Sequence, residues 1–382
     1  MTEVRGSVAR GFERVREAFV DTFVRHGDVG AACCVYRHGT PVVDLWGGLA
    51  DRDTGRPWQA DTPVIAFSST KGVTAICVHL LAERGLLDLD APVARYWPEF
   101  GAAGKGAIPV RWVLSHRAGL AEITADLTLE EALAWTPVVD ALARQAPVWE
   151  PGTKHGYHMR SYGWLVGEVI RRITGRTAGR FFADEIAAPL GLDFWIGLPE
   201  AIEPRVATLY PAPPPDPATA EMMAKFMGPD TLTGRVTTGP SNRFHYDTMW
   251  NRRALRAAEL PSSNGIGTAR ALARLYAACV GEVDGIRVLR PATVAAACVP
   301  QSDGPDAVLI FPTRFGTGFM LPPTLSLAAS PRAFGHPGAG GSLAMGDPDA
   351  GIAFAYVMNQ MRLGVTGDPR AQALLAAVYD SL

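Results

Sequence analysis

Apolar and polar positions follow three different rhythms along this chain. Near the start, Val8, Phe12, Val15, Phe19 and Phe23 recur every three or four positions between charged residues, which predicts an amphipathic opening helix. Two apolar runs at 29–36 and 41–46, separated by His38-Gly39-Thr40, read as a β-hairpin. From 68 to about 83 the chain is apolar with helical character, and Gly85 closes that helix. Residues 86–200 alternate helix-like segments with Pro- and Gly-containing turns, including a long helix over 162–174. The stretch 210–241 stands apart, opening YPAPPPDPA and carrying EMMAKFM; such a segment is a surface linker or a loop folded over a site. A helix follows in TARALARLYAACV. The end returns to strands at 315–321, 342–347 and 351–358, the last two joined by the turn 348–350, before a final helix from about 368.

No internal repeat interrupts this order. Strands at both ends with helices between them imply a discontinuous α/β domain, residues 1–75 and 255–382, completed by its own C-terminus. A mainly helical domain, 76–254, is inserted, with 210–250 as a lid segment.

Composition narrows the function. Hydrophobic residues make up 48% and charged residues 19%, and the net charge is −2, so neither nucleic acid nor an anionic membrane is expected as a partner. Charges break up the N-terminal segment and no apolar stretch is long enough to span a bilayer, which implies a soluble, cytoplasmic protein. The five cysteines form no C-x-x-C pair and lie in apolar contexts, as reduced structural residues do. Of 36 basic side chains only four are lysines: Lys71, Lys105, Lys154 and Lys225. Where arginine serves almost every plain positive charge, a lysine suggests a group that must give up its proton.

Three constellations carry chemistry. Ser68-Ser69-Thr70-Lys71 opens a helix, placing Ser68 and Lys71 one turn apart on one face. A serine hydroxyl needs a base to become a nucleophile, and a buried lysine can be that base. A serine there is also an ordinary helix cap, and Ser69 and Thr70 are equally able caps. The second constellation, Pro151-Gly152 followed by Tyr157-His158-Met159, sets a tyrosine after a turn and before a helix, with Tyr162 as its rival. The third, Gly335-His336-Pro337-Gly338-Ala339-Gly340-Gly341-Ser342, has the glycine density that lets backbone N–H groups approach a ligand, or simply a flexible loop. Leu343 spoils a G-x-G-x-x-G reading, and no spaced ligand set suggests a metal, so no cofactor is expected.

In this order, the three resemble the serine β-lactamase and penicillin-binding-protein superfamily, and more closely its class C β-lactamase-like esterases, the family VIII carboxylesterases. VLSHRAGL at 113–120 and LPSSNGIGTARALARLYA at 260–277 extend the likeness over nearly the whole chain. The resemblance implies an antiparallel sheet flanked by helices, with an inserted helical domain. It implies Ser68 as nucleophile, Lys71 and Tyr157 as a shared general base/acid pair in which either removes the Ser68 proton, and the N–H groups of Ser68 and Ala339 as oxyanion hole. His336, Gly338, Met159, Phe226 and Met227 are expected around a small ester substrate, with Met222 and Met223 in the same lid. Two departures matter: Met159 replaces the asparagine, and His336 the lysine, that β-lactamases use for the substrate amide and carboxylate. Both favour a neutral ester over a β-lactam or D-peptide. The alternatives are an acyltransferase, passing the same acyl-enzyme to another acceptor, a β-lactamase or D-peptidase, which the two departures disfavour, and, last, a non-catalytic binding protein on this fold.

Overall fold

The computed structural model describes residues 2–382. Three strands from the first part of the chain, β1 (Val4–Val8), β2 (Gly30–Arg37) and β3 (Thr40–Asp51), join three from its end, β4 (Phe334–Pro337), β5 (Leu343–Asp347) and β6 (Ile352–Met358). They form an antiparallel sheet in the order β1-β3-β2-β6-β5-β4, with the two-residue strand Arg56–Pro57 beside β3 as its seventh member. The two ends of the chain meet where β2 pairs with β6, Met358 lying opposite Ala31. The β2–β3 hairpin turns through His38 and Gly39, both with positive φ, a geometry that matches the twist of the flanking strands.

Seven helices matter for the site: α1 (Glu13–Val24), α2 (Ser69–Glu83), α3 (Ser161–Thr174), α4 (Pro217–Met227), α5 (Leu232–Thr238), α6 (Ala269–Val280) and α7 (Pro369–Tyr379). The period-2 alternation of the strands divides two cores. Ala31, Cys33, Val35, Phe354 and Tyr356 pack with residues of α1 and α7, whereas Ala32, Cys34, Ala353 and Ala355 pack with α2 and α6. The second face carries small side chains, which lets α6 lie close against the sheet. Adjacent Cys33 and Cys34 thus serve different cores, and all five cysteines are buried and unpaired.

Two expectations need correction. The opening helix begins at Glu13, not near Val8: residues 4–8 pair with β3, and Gly11, at φ 95°, separates strand from helix. Val8 fits the helical spacing by coincidence, since one position cannot distinguish the two periods. The strand expected over 315–321 ends at Phe315; Gly318, at φ 89°, bends the chain, and Met320 returns as a single bridge to Gly335. The proline- and methionine-rich segment is no open linker. It folds into α4, capped by Asp216 accepting from the Thr219 N–H, and α5 packed against α4. Among the described residues no helix is long and apolar enough to cross a membrane.

Candidate active site

The segment that carries Ser68 is built by backbone geometry. Phe67 holds a left-handed φ of 44°, wedged edge-on against Tyr246 and Trp250, and delivers Ser68 to the first turn of α2. The N–H groups of Ser69, Thr70 and Lys71 reach the carbonyls of Ala66, Phe67 and Ser68 at 3.1, 2.9 and 2.9 Å. That tight turn removes the need for a side-chain cap, and none is made. Ser69 Oγ donates to His336 O and Thr70 Oγ1 to Phe67 O, so neither of the alternative caps acts as one. Ser342 and Ser115 also commit their hydroxyls to carbonyls, of Ala66 and Arg111. Ser68 Oγ instead faces Lys71 Nζ at 3.3 Å.

Lys71 is fully buried. Its Nζ donates to Met159 O at 2.6 Å and Ser262 O at 3.0 Å, and no carboxylate pairs with it among the described residues. Burial, aided by the positive charge of Arg160, holds its pKa well below the usual lysine value. Lysine scarcity alone would not have singled it out: Lys105 is also buried and donates to the carbonyls of Ala102, Ala143 and Gln145. Three acceptors around one compact ammonium is a structural use that the flat guanidinium serves poorly.

Tyr157 comes to the same place from the turn before α3. Lys71 Nζ lies 4.8 Å from its ring centroid, and its hydroxyl is 3.5 Å from His336 Nε2. Phe315 and His336 stack on the ring and His116 meets it at an angle, 4.9 Å between centroids. Burial raises its pKa well above that of a free phenol, which a hydrogen bond with Ser68 partly offsets. Tyr162, the rival, is a packed core aromatic whose hydroxyl is buried with no partner. His336 donates from Nδ1 to Pro337 O, which leaves Nε2 as an acceptor, and burial with nearby Lys71 pushes its pKa down to about 3. It is a neutral imidazole at pH 7.

The glycine loop lies beside the start of α2. A side chain on Gly338 would meet Ser342 Oγ at 2.1 Å and Ala66 O at 2.2 Å, so only glycine lets this loop approach the segment that carries Ser68. Neither the Ser68 nor the Ala339 N–H has a hydrogen-bond partner among the described residues. Two unpaired donors at a buried site are a feature that folded chains rarely leave without use.

Ala339 and Met159 border a cavity of about 560 Å³ that is also lined by residues of α4 and α5. Met222, Met223 and Met227 line it, as do Leu309, Ile310 and Phe311 opposite. His336 and Gly338 do not line it. Phe226 does not line it either: it is 43% exposed, with Lys225 Nζ 5.4 Å from its ring centroid. On a helix, the neighbour of Met227 faces another way.

Sequence reasoning missed Asp306. This buried carboxylate accepts from the N–H groups of Tyr157, Val308 and Leu309 and from Thr313 Oγ1. It therefore ties the tyrosine backbone to one cavity wall. The only local signal is an aspartate ahead of Ala307-Val308-Leu309, the pattern of a side chain that bonds backbone two and three residues on. Asp306→Ala should lower kcat at least about tenfold and depress Tm, since lost bonds to a charged acceptor cost about 1.5–3 kcal/mol each. Asp306→Asn keeps one oxygen acceptor and should restore most of both; parallel kinetics and thermal unfolding of the two variants check this.

The sequence profile of the Beta-lactamase family matches residues 15–379. The esterase/beta-lactamase LipL of Mycobacterium tuberculosis is 38% identical over 366 residues, 94% of this chain and 83% of its own. The crystal structure of a family VIII carboxylesterase superposes with a TM-score of 0.91 at 36% identity, covering all of both chains. A penicillin-binding-protein homologue from Caulobacter crescentus gives 0.86 at 38% identity, also over both full lengths.

Proposed function

The chain belongs to the beta-lactamase family, and from that premise we propose that Ser68 is the nucleophile of a serine esterase, with Lys71 as general base and Tyr157 as general acid. The reaction is hydrolysis of carboxylic esters, the activity named for its relatives. The observation that carries the residue roles is the surroundings of Lys71. A neutral amine has two N–H donors and one lone pair. Two of its three neighbours, Met159 O and Ser262 O, can only accept, so the lone pair is left for the Ser68 hydroxyl.

Lys71 takes the Ser68 proton as Oγ attacks the ester carbonyl. The N–H groups of Ser68 and Ala339 receive the oxyanion. When the tetrahedral adduct collapses, Tyr157, neutral because burial raises its pKa, protonates the departing alkoxide and is recharged from Lys71. Water then enters by the reverse proton path and releases the acid.

The departures from the β-lactamase pattern support an ester over a lactam. The Met159 sulfur accepts from Tyr246 Oη, a weak polar contact, and His336 carries no charge. Arg314 is paired with Asp303, and Arg160 commits Nη1 to the carbonyls of Val236, Thr237 and Gly239, while its Nε and Nη2 are buried without a partner among the described residues. Arg362 borders the cavity but directs Nη1 to His26 O. A missing hydrogen bond to a charged group is worth about 1.5–3 kcal/mol, or one to two powers of ten in rate. We expect kcat/KM for a p-nitrophenyl ester to exceed that for nitrocefin at pH 7 by at least about tenfold. Equal values measured side by side would restore the lactamase reading.

A further inference from the structure

We propose that the lid cavity takes the acyl side of the ester, and that the acyl group it selects is a long, uncharged hydrocarbon chain. The inference rests on the esterase reading above and names its substrate class.

The side follows from where the proton donor stands. The departing alcohol oxygen must lie against Tyr157 and Lys71, yet neither residue borders the cavity. Ala339, whose N–H is unpaired among the described residues and is assigned above to the oxyanion, does border it. The cavity therefore opens beside the N–H assigned to the oxyanion and is not lined by the leaving group's proton donors. That is the direction in which the acyl chain runs.

The chemistry follows from the walls. Five of the ten methionines in the chain meet there: Met159, Met222, Met223, Met227 and Met361. Methionine adapts its shape and offers apolar contact without a strong polar demand. Carboxylates are absent from the lining among the described residues, and its one cation, Arg362, is turned to a backbone carbonyl. The polar side chains of the lining are, apart from Arg362, the hydroxyls of Thr219, Thr233, Thr237, Thr366 and Tyr246, so a charged acyl group would lose its water there without a free counter-ion.

The length follows from the mouth. Met222, Met227, Ile310, Phe311 and Leu363 line the cavity and yet are 55, 37, 56, 37 and 49% exposed. They come from three separate segments, the lid helix α4, the loop after Asp306 and the loop after β6. Among the described residues, five of the twelve exposed large apolar side chains thus gather around one opening. Clustering of that kind marks a binding surface more than chance exposure. A chain longer than the cavity would keep burying methylenes as it crosses this rim.

Two substrate series test the proposal, each kept below its micelle concentration. The first varies the acyl chain of p-nitrophenyl esters from acetate to dodecanoate; the second fixes acetate and lengthens an n-alkyl alcohol. In the acyl series kcat/KM is expected to climb about three- to fourfold per buried methylene up to at least octanoate, while the alcohol series stays nearly flat. Met222→Ser and Leu363→Ser, singly and together, should lower the octanoate-to-acetate ratio of kcat/KM, a ratio that a general loss of fold leaves unmoved. An acyl series that is flat or falls beyond butanoate overturns the proposal, as does a climb confined to the alcohol series. Failure to turn over any member of either series overturns the esterase reading itself, so the two failures are distinct.

Discussion

Ser68→Ala should abolish ester hydrolysis, with kcat falling on the order of 10⁴-fold or more, the scale expected when a covalent nucleophile is deleted. Folding should be nearly untouched. Ser68 makes no capping bond, because the N–H groups of the first turn are already met by the carbonyls of residues 66–68. The variant forfeits two contacts, 3.3 Å to Lys71 Nζ and the hydrogen bond with Tyr157, so its stability should stay within about 2 kcal/mol of the parent. Intact mass after a fluorophosphonate, followed by peptide mapping, gives the direct readout. The adduct is expected on Ser68 and absent from Ser68→Ala. Labelling of Ser69, Ser115 or Ser342 would sink the assignment, although each of those hydroxyls is held by a carbonyl.

Lys71→Arg is expected to be about as damaging as Lys71→Ala, with kcat down about 10²- to 10⁴-fold, the usual worth of positioned proton transfer. Arginine keeps the charge but cannot release it. It also places a larger cation in a fully buried site beside Arg160. The pH dependence carries the sign. Burial lowers the Lys71 pKa, so the free base is present well below the pH at which an exposed lysine deprotonates. Activity should therefore rise with pH along an acid limb and level off well short of the ordinary lysine value. His336 and His158, pushed down to about 3 and about 4, stay neutral across that range and cannot produce the limb. An arginine variant with near-normal kcat, or one keeping the same acid limb, would reduce Lys71 to an electrostatic bystander.

Local rules made much of this protein legible in its sequence. The hairpin, the helix from Ser69, the helix ending at the left-handed Gly175, and the closing strands and helix depend on short-range periods and caps. The order of the S-x-x-K, Tyr157 and glycine-loop segments pointed to a family because each motif is compact in sequence. Val8 and the 315–321 run failed for a shared reason. Both are short apolar stretches whose partner, β3 or Gly335, lies far away along the chain.

What the tertiary structure alone decided is the surroundings of the candidate site residues and which side chains line the cavity. Ser68, Lys71 and Tyr157 can be named from sequence, but the state of Lys71 depends on Met159 O, Ser262 O and Arg160. Those groups lie roughly 90 and 190 residues away, and a pKa is a property of surroundings, not of residue type. Ser69 and Thr70 look as able as Ser68 until His336 O, Phe67 O and Gly265 N claim their hydroxyls. Asp306 carries no motif, because its role is to receive backbone N–H groups delivered by two separate segments. Met227 lines the cavity while Phe226 faces away, a difference set by how α4 is docked and not by hydrophobicity, which the two share. Spacing along one element is written in the sequence; contact between elements is written only when they pack, because burial and partner choice are collective.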